Sequence, residues 1–514
     1  MKKGEAMKKR CLSLLLLAGL LCAVLSGCGD SSTAETPESR AAANTIVVGI
    51  AQDLDNSLDP HKTVKAGTRE VMFNVFEGLM KPTPEGDLTP AIASDYQVSE
   101  DRLTYTFTLR DGVKFHNGDT VTAEDVVYSI QRCAAATETG IVPVEAFSNI
   151  TDIQAPDAST VVITLAQPDN EFLSYMTTAV LPADYDQQDT DPVGTGPFKF
   201  VSRAAQDSIV LEKFDEYWGT PAQLDQVTFK IIENADSLLM SLQSGAIDLC
   251  AHLTSTQVAQ LGEDFDVAEG TMNLVQALYL NNAVEPFDNE LVRQALCYAI
   301  DKQAIIDLAF DGYGSPIGSS MYPAFGKYFD ESLTDYYPHD TEKAKELLAQ
   351  AGYPDGFSMT ITVPSNYKPH MDTAQVLVQQ LAEVGITAEI QAVEWESWVS
   401  DAYTNRQFQS TVVGVDASNM TARALLERFT SAADDNFINY QNTDYDALFQ
   451  QAQATADDAE QTELYKQMER NLTEHAANVY IQDLADLVVL RNGLEGYQFY
   501  PIYVMDLSTV HYAQ

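Results

Sequence analysis

The residues with chemistry to offer are seven histidines, three cysteines beyond residue 28 and a large excess of carboxylates. The histidines stand at 61, 116, 252, 339, 370, 475 and 511. None lies three or four positions from another, the spacing that would turn two imidazoles toward one metal on a helix. Cys133, Cys250 and Cys297 are odd in number and have no paired spacing. That argues against a disulfide framework or a zinc ribbon and for three buried small hydrophobes. Paired acids such as Asp434-Asp435 and Asp457-Asp458 read as solvated surface in so acidic a chain. No G-x-S-x-G, phosphate loop, H-E-x-x-H or G-x-G-x-x-G occurs. Gly194-Thr195-Gly196 and Gly312-Tyr313-Gly314 are turn signals. Trp395 and Trp398, three apart in AVEWESWVS, fit one side of a short helix and would serve as core. An enzyme is conceivable, but no residue is nominated as nucleophile or base, and no cofactor or metal is expected.

Charge and length narrow the partners. Asp and Glu number 75 against 30 Lys and Arg, for a formal net charge of −45. Such a chain repels phosphate backbones and anionic lipid, so nucleic acid is excluded as a partner. Its 514 residues exceed what one core supports, so two or three lobes are expected.

The N-terminus has a cationic head (Lys2, Lys3, Lys8, Lys9, Arg10), an uncharged run from Cys11 to Leu25, and Ser26-Gly27 before Cys28. These are the parts of a secretory signal over residues 1–27. LSGC resembles the bacterial lipobox, which implies that Cys28 becomes the lipidated first residue and anchors the chain to the cell membrane. Small polar residues follow, and residues 28–43 read as a flexible tether.

Beyond the tether, short strands alternate with helices. TIVVGIA (45–51) reads as a buried strand and LTYTFTL (103–109) as a half-exposed one. Thr122 with Asp125 forms a capping box for the helix through VVYSIQRC. VVITL (161–165), SIVLEKF (208–214) and QVTFKII (226–232) are strands. NADSLLMSLQSG is a helix stopped by Gly245, and AIDLC the strand after it. In the second half Asp288 opens a helix through LVRQALCYAID, and Asp340 caps TEKAKELLAQA, which Gly352 stops. Strand SMTITV, helix DTAQVLVQQLAEV and strand ITAEIQAV complete a pattern that predicts an α/β lobe with a largely parallel sheet.

Six stretches in order resemble one family, the dipeptide, oligopeptide and nickel-binding extracellular proteins of bacterial ABC importers (solute-binding family 5). They are FNVFEGLM (73–80), LTPAIASDYQVSEDRLTYTFTLRDGVKFHNGDTVTAEDVVYSIQR (88–132), GTGPFKF (194–200), PFDNELVRQALCYAIDK (286–302), HDTEKAKELLAQAGYPDGF (339–357) and NYQNTDYDALF (439–449). Physically these are mostly structural. Gly112 and Gly118 bracket a turn, Phe76 and Leu79 look like core, and Arg293 is expected to pair with an acid. The resemblance implies an α/β, periplasmic-binding-protein-like type II fold: two α/β lobes joined by a double-crossing hinge plus an extra mixed α/β domain. Lobe I would comprise 44–85, 190–272 and 484–514, the extra domain 86–189, and lobe II 273–483. A small polar ligand would sit between the lobes and hold them closed.

The resemblance also implies ligand residues. Peptide-binding members anchor the ligand amine with an Asp in a segment that matches GVDASNMTARALLERF (414–429). Here Val415 replaces the family's Trp, Ser418 replaces the Asp, and Thr421 and Ala422 replace a second Asp and a Pro. Asp416 comes two positions early, and Asn419 lies in the same turn. The missing carboxylate weakens the amine clamp, because an unpaired buried ammonium costs several kcal/mol. An Arg-Pro-aromatic step for the ligand carboxylate becomes Lys368-Pro369-His370 after Tyr367, with a point charge for a bidentate fork. Trp395 would flank the pocket with Trp398 beside it, and Lys65-Ala66-Gly67 would line the cleft. Thr178 lies where nickel-chelate members carry an Arg. The expectation is a monomeric, lipid-anchored, extracytoplasmic receptor that hands a short peptide to a membrane permease. The alternatives are the same architecture with a metal chelate, modified amino acid or saccharide, and a lipid-anchored hydrolase.

Overall fold

The structure, a computed structural model, describes residues 36–63, 65–136, 142–417 and 421–513. Three large sheets organise it. The first has seven strands. Thr45–Ile50 lies at its centre, parallel to Gln226–Ile231 on one side and Leu249–Leu253 on the other. Ile46, Val48 and Ile50 point to one face of the sheet and are buried, while Val47 on the other face is partly buried. Ser208–Lys213 and Phe198–Ala204 extend the sheet antiparallel at one edge, and Ala485–Arg491 and Phe265–Thr271 at the other.

The second sheet has six strands, in the order Ser315–Pro316, Asn478–Asp483, Leu274–Leu280, Ser410–Asp416, Ser358–Pro364, Thr387–Val393. Only the pairings of Ser358–Pro364 are parallel; the other three are antiparallel. The expected largely parallel sheet is therefore a mixed one. The βα spacing holds over 341–393, but the strands that cross from the first sheet enter and leave side by side, which forces antiparallel neighbours.

The third sheet is four-stranded and antiparallel, two hairpins side by side in the order Ala93–Val98, Thr104–Leu109, Thr160–Leu165, Ile150–Asp157. Tyr105, Phe107 and Leu109 point inward and are buried, while the threonines between them face out. Helix Ala123–Ala134 packs on this sheet behind the Thr122–Asp125 capping box.

The chain passes between the two large sheets twice, at 272–274 and 483–485. Met272 N–H donates to the Leu484 carbonyl at 2.8 Å, and Leu274 N–H to Asp483 Oδ1 at 3.1 Å, so the crossings are bonded to each other.

Several sequence readings need correction. Residues 36–43 are not tether: Pro37–Ala43 is a helix with a Thr36–Ser39 capping box and Pro at its first position. Its Arg40 is buried, donating to Asp248 Oδ2 and Oδ1 at 2.6 Å each and to the Gly245 carbonyl at 2.6 Å. Asn289, not Asp288, caps helix Glu290–Ala299. The helix expected from Asp372 starts at Lys368, because Pro369 suits a first turn. The strand expected at AIDLC runs instead over Leu249–Leu253. Arg293 is buried and donates to the carbonyls of Phe287, His475 and Ala476 rather than pairing with an acid. Cys133, Cys250 and Cys297 are free and buried, and burial pushes their thiols up.

Candidate functional site

Helix Ala66–Met72 brings lobe I to the cleft. Lys65 caps it without a side-chain bond, and its backbone N–H donates to Asp55 Oδ2 at 3.0 Å. One face of this helix and the turn after it carries Arg69, Met72, Phe73 and Phe76, at helical spacing. Together with the segment around Tyr500 to Val504 and the end of helix Ala123–Ala134, this face encloses a cavity of about 990 Å³. Phe73 and Tyr500 meet edge to face at 5.6 Å in its wall.

The cavity is amphipathic. Its charged lining comprises four cations, Lys62, Arg69, Lys81 and Arg132, against two acids, Glu77 and Asp506, in a chain where acids outnumber cations 75 to 30. Both acids are committed. Glu77 is buried, which pushes its carboxyl up, while Lys81, Tyr217, Trp218 and Thr195 oppose the shift. Tyr217 Oη and Trp218 Nε1 donate to it at 2.6 and 2.7 Å. Asp506 accepts from Tyr500 Oη at 2.6 Å. Arg132 is backed by Asp59 and Lys62 by Asp189.

Across the cleft lobe II presents Tyr367, Trp395 and Asp416. Burial raises the Tyr367 hydroxyl while the Gln52 side chain of lobe I opposes the shift, and Arg69 Nη2 lies 3.6 Å from Asp416 Oδ2. Tyr367 packs edge-on to Trp395 at 5.2 Å, and Trp395 stacks on Trp398 at 5.2 Å, giving an aromatic wall. Beside Arg69, His252 stands between Glu70 (2.7 Å) and Asp486 (2.9 Å) and stacks on Tyr503 at 4.7 Å. Burial alone would lower this imidazole, but the two carboxylates hold it well above the usual histidine range, so it is a cation. His252 also adopts a left-handed φ of 61°, an uncommon conformation for a non-glycine residue.

The structure sorts the expected ligand residues. Thr178 lines the cavity. Tyr367, Trp395 and Asp416 meet at the cleft. Lys65, Ala66 and Gly67 open the helix that carries Arg69, but it is Lys62, Thr63 and Arg69 that line the cavity. Lys368 is 57% exposed and bonded to Asp372 at 2.6 Å. His370, Trp398 and Val415 are core groups instead of ligand contacts. His370 accepts from Gly414 N–H at 3.2 Å and sits 2.9 Å from the Gln276 amide, and burial lowers it to about 4, so it is neutral. Trp398 donates to Thr411 Oγ1 at 2.9 Å. Ser418, Asn419 and Cys28 lie outside the described residues. Sequence reasoning missed Arg69, whose signal was the 69–72–73–76 face, and the Glu70–His252–Asp486 group, which had none because its members are far apart in the chain. Among the described residues no His, Cys, Asp and Glu cluster could hold a metal, and no helix is long and apolar enough to cross a membrane.

Comparison with known proteins agrees with this geometry. The family described as bacterial extracellular solute-binding proteins, family 5 Middle, matches residues 87–437. The glutathione-binding protein GsiB of Salmonella typhi is 31% identical over 447 residues, covering 83% of this chain and 86% of that protein. The binding protein AgaA of A. tumefaciens R10, solved with agropinic acid, is 28% identical with a TM-score of 0.79, covering 91% of this chain and 99% of that one. The binding protein DppA of Helicobacter pylori, solved with the peptide STSA, is 26% identical with a TM-score of 0.80, covering 91% and 98%. The fold is that of the type II periplasmic binding proteins, with two α/β lobes, a double-crossing hinge and an extra domain. With its fold, its family match over residues 87–437 and its matched length, the chain belongs to the bacterial extracellular solute-binding proteins, family 5: ABC-importer solute receptors and not enzymes.

Proposed function

We propose that this receptor captures a short peptide bearing a free carboxylate between its lobes and delivers it to a membrane permease. The observation that carries this is Arg69, which lines the cation-rich cavity between lobe I and the extra domain and lies 3.6 Å from Asp416 of lobe II across the cleft. A planar guanidinium is suited to a carboxylate. The 990 Å³ cavity on the lobe I and extra-domain side is at the upper end of the range for small ligands, about 300–1,000 Å³, and on the lobe II side Tyr367 and Trp395 form a separate aromatic wall. Two relatives point the same way, since the ligands in their names, glutathione and the peptide STSA, are short peptides. In this reading the lobe boundaries fall at 44–85, 190–272 and 484–514 for lobe I and 273–483 for lobe II, the extra domain is 86–189, and lipid on Cys28 holds the monomeric receptor at the membrane.

A second reading is a modified amino acid or similar small acid. It is favoured by Ser418 and Thr421 standing where an amine anchor needs carboxylates, and by the agropinic acid in the AgaA structure. A thermal-shift and calorimetry panel of glutathione, dipeptides, a tetrapeptide, an opine and a sugar tests both. A ligand at a hundred times its Kd stabilises the fold by about 2.7 kcal/mol. Stabilisation by glutathione or another short peptide supports the first reading; stabilisation by the opine alone overturns it.

A further inference from the structure

The extra domain meets lobe II along a seam formed by Asp169, Asn170 and Glu171, in which Glu171 makes the most hydrogen bonds. Glu171, just before helix Phe172–Tyr175, is 5% exposed. Its Oε1 accepts the Ala422 N–H at 2.7 Å, and its Oε2 accepts the Arg423 N–H at 3.3 Å and the Tyr465 hydroxyl at 2.9 Å. All three donors belong to lobe II. On the extra-domain side Glu171 is held by its own N–H, which donates to Asp169 Oδ1 at 2.9 Å. Asn170 Nδ2 reaches the Thr455 carbonyl at 3.4 Å in the same seam.

The extra domain is bonded to lobe I by other contacts. Val180 N–H donates to the Glu77 carbonyl at 2.9 Å, and Arg132 of helix Ala123–Ala134 pairs with Asp59. A hinge motion at 272–274 and 483–485 therefore carries the extra domain with lobe I and withdraws Glu171 from its lobe II donors. The donors are also well placed. Ala422 and Arg423 open helix Ala422–Leu426, directly after the segment that holds Asp416 opposite Arg69. Burial and the nearby Asp169 push the Glu171 carboxyl up to about 7, and its three lobe II donors oppose that shift, so withdrawing them leaves a buried polar group unpaired at a cost.

We infer that Glu171 is a positioning residue for ligand capture: from the extra domain it latches helix Ala422–Leu426, and with it the Asp416 segment, into the closed arrangement. The inference rests on the reading that the lobes close on ligand. It assigns the extra domain a share in closure that the two large lobes alone would not have.

The test separates the two ideas. Met240 on lobe I and Leu308 on lobe II are 59% and 71% exposed, and Cys133, Cys250 and Cys297 are buried. Dyes on Met240→Cys and Leu308→Cys report lobe separation by single-molecule energy transfer, with and without glutathione as probe. In Glu171→Ala the closed fraction falls, and the dissociation rate of the probe rises about tenfold while its association rate is unchanged, the size expected for losing a bond to a charged group. Tyr465→Phe gives a smaller effect, and adding it to Glu171→Ala changes nothing further. If glutathione does not bind, only the choice of probe is at fault, and the unliganded closed fraction still decides the latch. Closed fractions equal to the parent in both single variants, each with an unchanged melting temperature, overturn the latch. Should Glu171→Ala not fold, Tyr465→Phe decides it alone by the same readout.

Discussion

Arg69 and Lys368 are both cations offered to a ligand carboxylate, and their surroundings separate them. Arg69 lines the cavity and faces Asp416 across the cleft, while Lys368 is exposed and paired with Asp372. Replacing Arg69 by Ala is expected to weaken a carboxylate ligand by about tenfold, with the difference shrinking at high salt. Lys368→Ala is expected to leave affinity within about twofold, as for an exposed i,i+4 pair worth about 0.3–0.5 kcal/mol. Titration calorimetry at two salt concentrations checks both, and equal losses would contradict the assignment. Glu469 gives a pH prediction. It is fully buried, accepts from Ser319 Oγ at 2.6 Å, and burial pushes its carboxyl up to about 8. A raised carboxyl favours the fold below its ordinary value near 4.5, and that contribution is lost as pH rises through about 8. The melting temperature should therefore fall between pH 4.5 and about 8, and Glu469→Gln should remove part of that fall; an identical slope in the variant would contradict it.

At the scale of elements, helix Pro37–Ala43 shows what composition hides. The stretch GDSSTAETPESRAAAN is polar and small, so it reads as a tether. Yet Thr36, Pro37 and Ser39 are the cap, first-turn and reciprocal-cap residues of a helix, and Arg40 finds Asp248 more than two hundred positions away. Arg40→Ala strips that buried carboxylate of its bidentate partner and is expected to cost about 3 kcal/mol, read as a lower denaturation midpoint with an unchanged slope. A loss under 0.5 kcal/mol, the range of ordinary surface substitutions, would mean the helix is not docked. Elsewhere local signals were enough. The Thr122–Asp125 box, the Asp340 cap and Gly352, with φ of 97°, mark element ends as the sequence suggested. Sheet order was not legible, because the strands of lobe II come from two distant parts of the chain and parallel or antiparallel pairing leaves no local trace. The site was half legible. Tyr367, Trp395, Asp416 and Thr178 were named from family resemblance and meet at the cleft or cavity, whereas His370 and Trp398 carry the same residue types but their polar groups are satisfied inside the core.

The whole molecule is a pair of lobes on two bonded strand crossings, with the extra domain fixed to one lobe and latched to the other. Such a body changes shape only if ligand binds the closed form better than the open one. Its central claim is that cargo shuts the cleft and leaves unchanged. The direct measurement is small-angle scattering during titration with glutathione and the short-peptide panel, with mass spectrometry of the released ligand. A saturable drop in the radius of gyration, with the peptide recovered intact, is the predicted result. Saturable binding with an unaltered scattering curve, or recovery of a cleaved peptide, would contradict it.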